Sequence, residues 1–79
     1  MMLSFILRLT HEFEQEHGIY PNLLYLNHFH AAHLKAAFDT DYPMTQILDI
    51  LDMELIIQDD ITQPRVVWSQ IARKKVAAF

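Results

Sequence analysis

At 79 residues and a formal net charge of −4, the chain is one small domain, and neutralising a phosphate backbone takes a basic surface that it lacks, so nucleic-acid binding is not expected. With no cysteine, disulfide frameworks, thiolate metal sites and cysteine nucleophiles are excluded. The hydrophobic fraction of 52% with a single glycine excludes global disorder, and it exceeds what so small a domain readily hides, so part of the apolar surface is expected to meet a partner.

Charge is split along the chain. Residues 1–64 hold all ten acidic groups against Arg8 and Lys35, whereas 65–79 hold Arg65, Arg73, Lys74 and Lys75 and no acid. Residues 70–79 therefore read as a basic C-terminal arm, either laid over the acidic body or solvated. Its Arg73-Lys74-Lys75 run beside Trp68 supplies too few charges for a nucleic-acid arm. No apolar run approaches the ~18 residues of a membrane span. The opening Met1–Leu9 lacks a basic lead and is interrupted by Arg8, which argues against a signal peptide. The expected setting is cytoplasmic, without membrane association.

Met2–His17 reads as a helix. Met2, Phe5, Ile6, Leu9 and Phe13 share a sector roughly 100° wide, the width of a core-facing stripe. Gly18 stands where a left-handed cap is wanted. Leu3 and Leu7 fall off the stripe one turn apart and form a candidate second contact face.

Pro21 holds the preceding residue extended. Leu23-Leu-Tyr-Leu26 is a short unbroken apolar run, as in a strand buried on both faces. Asn27 can then cap a helix over 28–38; the rival reading makes Asn22 the cap of a longer helix over 23–38. The helix 28–38 is apolar on two sides. Phe29, Ala32 and Ala36 lie on one and Ala31, Leu34 and Phe38 on the other, which suggests a helix sandwiched between layers or chains.

Pro43 is placed to open the next helix, whose stripe is Met44, Ile47, Leu48 and Leu51. Residues 51–69 read as a β-hairpin. Met53, Leu55 and Ile57 alternate with Glu54, Ile56 and Gln58; Asp59 to Pro64 supply turn chemistry; Arg65 to Ser69 return as a β-branched and aromatic strand.

The expected fold is thus α+β, in the order α-β-α-α-β-β, with one strand plus the hairpin making a three-stranded sheet packed with three helices. The expected core is Phe5, Ile6, Leu9, Phe13, Leu24, Leu26, Phe29, Leu34, Ile47, Leu48, Leu51, Leu55, Ile57, Val66 and Trp68. A Leu-Tyr-Leu-Asn strand-to-helix junction with a following hairpin is common to many small α+β domains and carries no function with it.

Candidate chemistry is sparse. His30 and His33 stand one turn apart on their helix and could reach a common metal ion, while His28 points away; a third ligand would have to come from His11, His17 or a carboxylate. Asp59-Asp60 and Asp39-x-Asp41 lack the spacing of a calcium loop and read as turn residues. Ser4 and Ser69 lack a nucleophile-elbow context, and one glycine cannot build a phosphate-cradling loop. No cofactor is expected.

Two functional readings follow. The favoured one is a non-catalytic protein–protein interaction or assembly module, self-associating as a homodimer or joined by a heteromeric protein partner. Its candidate interface residues are Leu3, Leu7, Ala32, Ala36, Ile56 and Val67. The rival is a small metal-binding protein or metal-dependent enzyme that uses His30 and His33.

Overall fold

A computed structural model describes residues 1–70 of the chain. Six elements follow in the expected order: α1 (Met2–His17), β1 (Leu23–Leu26), α2 (His28–Ala36), α3 (Met44–Leu51), β2 (Glu54–Ile57) and β3 (Arg65–Val67). The expected basic arm lies, apart from Gln70, outside the described residues. Among those described, no helix is long and apolar enough to cross a membrane.

The junctions follow local chemistry. Gly18 ends α1 with φ 71°, and its N–H donates to Glu14 O at 2.8 Å, the left-handed cap that a glycine adopts without Cβ strain. Asn27 caps α2. Its Oδ1 accepts from His30 N–H at 2.8 Å, and His30 Nδ1 accepts from Asn27 N–H at 3.1 Å, a reciprocal capping box with histidine in the place usual for glutamate. Pro43, extended at the start of α3, offers its carbonyl to Gln46 and Ile47 N–H.

Asn22 does not cap a helix. Its side-chain Nδ2 donates to Ser69 O at 2.8 Å and its Oδ1 accepts from Ser69 N–H at 2.9 Å, while its own N–H donates to Val67 O. The amide thus prolongs the pairing of β1 with β3 by one step, and strand-then-helix is the arrangement formed.

The sheet has the order β2-β1-β3, with β1 parallel to β2 and antiparallel to β3. This corrects the expected hairpin: β2 and β3 do not pair, because β1 lies between them. The segment joining them, residues 58–64, is longer than the two to five residues of most hairpin loops. It crosses the end of β1 and is held there. Gln58 N–H donates to Leu26 O (2.8 Å), Asn27 Nδ2 to Ile61 O (3.0 Å) and His28 N–H to Asp59 Oδ1 (3.0 Å). Asp59 and Asp60 are turn residues, as read.

The core is built by Ile6 from α1, Leu24 and Leu26 from β1, Leu34 from α2, Ile47 and Leu51 from α3, and Met53. Strand register puts Leu24, Leu26, Leu55, Ile57 and Val66 on one face of the sheet, and all three helices contribute to the cluster on that face. Leu23 and Tyr25 face the other way.

Several expected core residues are elsewhere. The buried line of α1 runs through Ile6 and Thr10, with Met2 and Leu3 partly buried beside it. Phe5, Leu9 and Phe13 are only half-buried. Thr10 was missed because it is polar; its hydroxyl donates to Leu7 O at 2.7 Å, which satisfies it without a tertiary partner. Phe29, Ile57 and Trp68 are 78%, 41% and 45% exposed. Phe29 lies on the α2 side turned from the core. Ile57 ends an edge strand, and Trp68 follows the last residue of β3.

The Asn27 junction yields a prediction. Asn27→Ala removes an acceptor for a helix amide and the donor to Ile61 O, and should lower stability by about 1–2 kcal/mol. Asn27→Asp keeps the cap oxygen and should recover part of that loss. Chemical denaturation of the three proteins measures it; equal midpoints would show that neither bond matters.

Candidate functional site

Two surfaces of the molecule stand apart from its core. The first is a groove of about 960 Å³ between the start of α1 and the length of α2. Met2 and Phe5 line the α1 wall with Ser4 and Arg8, and His30, His33 and Ala36 line the other. Successive turns of each helix supply these residues at spacings of three or four, which places them on one side. Arg8, exposed, lies over the Phe5 ring, 5.6 Å from its centroid, a cation–π arrangement. Among the described residues no carboxylate lies within ion-pair distance of Arg8.

The structure brings His30 and His33 to this common groove, as their one-turn spacing requires. Their chemistry is constrained by the cap. His30 Nδ1 accepts the Asn27 N–H, so in the neutral ring Nε2 carries the proton and is a donor, not a lone pair. Binding a metal through His30 would break the capping box. Neither His11 nor His17 lines the groove, and among the described residues no group of three histidines or carboxylates is placed to hold an ion. Ser4 shares the groove with both imidazoles, yet no acid lines it to orient a base in the manner of a hydrolytic triad.

The second surface is the outer face of the sheet. Register places its six residues in two rows: Glu54, Leu23 and Val67 in one, Ile56, Tyr25 and Arg65 in the other, each read from β2 through β1 to β3. None of the six belongs to the core cluster that the helices form. Leu23 is buried, Tyr25 and Val67 are half-buried, and Ile56 is 38% exposed. Arg65 lies over Tyr25, 5.7 Å from the ring centroid.

Of the interface candidates, Ile56 and Val67 lie on this face. Ala32 and Ala36 are exposed on α2, with Ala36 at the groove. Leu7 is 47% exposed, whereas Leu3 is half-buried and packs against the core. Sequence reasoning missed Arg8 and Phe5 in the groove, and Glu54, Tyr25 and Arg65 on the sheet. The grid could have been found from strand alternation once β1 was set between β2 and β3. Nothing local announces the groove.

The fold and these surfaces define a small α+β domain with a mixed three-stranded sheet. The chain matches no protein-family model, and neither the curated proteins nor the solved structures give a match.

Proposed function

We propose that the chain is a non-catalytic assembly module that works as a two-fold homodimer through the outer face of its sheet. The observation that carries this is the charge pattern of the grid. Glu54 and Arg65 occupy diagonally opposite corners, with Leu23, Tyr25, Ile56 and Val67 making up the rest. Strands lie ~4.8 Å apart and same-face residues ~6.7 Å apart along a strand. A two-fold axis lying in the sheet plane across that diagonal sets each Glu54 against the mate's Arg65 and closes the apolar residues on themselves. A surface complementary to itself under a two-fold axis is what an isologous dimer requires.

Edge-to-edge pairing through β2 is the less favourable geometry. An antiparallel pair centred on Leu55 and Ile56 would oppose Asp52 to the mate's Asp59, and acidic residues of this kind are a usual defence of an open strand edge.

Three short strands offer a footprint of about 14 by 13 Å before side chains are added. That is the lower end of specific interfaces, so a micromolar Kd is expected. Sedimentation equilibrium from a few to some hundreds of micromolar should show the mass rising from 9.3 kDa to twice that value. A constant 9.3 kDa over the whole range would overturn the dimer. The face would then belong to a different chain as heteromeric partner.

The metal reading keeps one observation in its favour, the shared position of His30 and His33. With the cap holding His30 Nδ1, zinc or nickel in excess is expected to leave the melting temperature unchanged. A ligand at 100 times its Kd would add ~2.7 kcal/mol. A rise of that order, removed by His30→Ala with His33→Ala, would replace the assembly reading.

A further inference from the structure

We infer that the groove between α1 and α2 binds a small organic carboxylate carrying an apolar group, independently of the sheet face. The polar side chains on its walls are Ser4, Arg8, His30 and His33. Arg8 presents a guanidinium that has no carboxylate partner among the described residues, and His30 presents Nε2–H because the capping box occupies its Nδ1. Ser4 adds a hydroxyl that can donate, and no acidic side chain lines the groove among the described residues. In a chain whose first 64 residues hold ten acids against two cations, an acid-free recess around one of those cations is a local reversal of the molecular charge.

The remaining lining is apolar. Met2 and Phe5 on α1 face Ala36 of α2 and Ala37 just after it, and small side chains beside flexible methionine and a ring accept an alkyl or aryl group with little rearrangement. The volume of about 960 Å³ falls within the usual range of small-ligand sites. A carboxylate suits the donors better than a phosphate. The planar guanidinium fork pairs bidentately with either group, but a carboxylate's single charge needs no second cation, and the lining holds none among the described residues.

The ligand chemistry is tested with octanoate and its uncharged counterpart octanamide, titrated to millimolar concentration into the full chain and followed by amide chemical shifts. Octanoate should shift residues of α1 and α2 around Arg8 and His30, and octanamide should bind about tenfold more weakly, the loss expected for a charge-assisted hydrogen bond. Arg8→Gln, an exposed substitution, should weaken octanoate by a similar factor and leave octanamide unchanged. Equal affinity for acid and amide in the unaltered chain, or shifts confined to the sheet, would overturn the inference, as would no shift at all. Should Arg8→Gln disturb the fold, His33→Gln serves as the second variant, with the same order of acid over amide expected and a smaller loss.

Discussion

Leu24→Ala is expected to remove a large share of the stability of this domain. Leu24 has no exposed surface, sits at the centre of the middle strand, and has Leu55 and Val66 as its neighbours on the two flanking strands. The same cluster brings Ile6, Leu34 and Ile47 from the three helices. Truncating a fully buried leucine costs about 2–5 kcal/mol, the transfer free energy plus the cavity left behind. At roughly 0.05–0.15 kcal/mol per residue, a domain of this length has on the order of 4–12 kcal/mol in all. Each kcal/mol shifts Tm by about 4–8 °C at this size, so a fall of at least ~8 °C is expected. Leu55→Ala is the useful comparison. The alternation of 53–57 makes Leu55 a core residue, but it lies on edge strand β2 and is only half-buried, so its loss should be clearly the smaller. Urea unfolding of both variants decides the matter; if they lose the same, or if Leu24→Ala melts like the parent, the sheet centre is not the centre of the core.

Ile56→Lys is expected to abolish the dimer and spare the monomer. The side chain is 38% exposed at a sheet edge, and substitutions at such positions cost a monomer little. In the proposed dimer Ile56 lies close to the two-fold axis and therefore near its own mate. Two lysines forced together there carry a like-charge penalty of several kcal/mol, which should raise the Kd by at least about a hundredfold. Charge exchange provides the more stringent measurement. Glu54→Arg and Arg65→Glu should each weaken association by setting like charges together, and the double variant should recover it, a coupling that only directly apposed residues produce. Additive losses with no recovery would mean that Glu54 and Arg65 do not meet, and the axis drawn through the grid would be wrong.

Sequence alone determined what depends on residues within a few positions of one another. The alternation of polar and apolar residues marked the elements and their order, Gly18 marked a left-handed stop, and Asn27 marked a helix start, because caps and periodicities are local devices. The apolar run Leu23–Leu26 also marked a strand, but the expected hairpin would have set β2 beside β3 and β1 at an edge. Only the tertiary structure decided which strands are neighbours. The contacts that put β1 between β2 and β3 join Asn22 to Ser69, Asn27 to Ile61 and His28 to Asp59, residues 47, 34 and 31 positions apart. No short-range pattern records such pairings. The exposure of Phe29 and Trp68 and the presence of Arg8 and His30 on one groove have the same cause. Hydrophobicity and helical spacing say which side chains can share a face, while the packing of α1 against α2 and the sheet settles which face is covered and which is left to solvent.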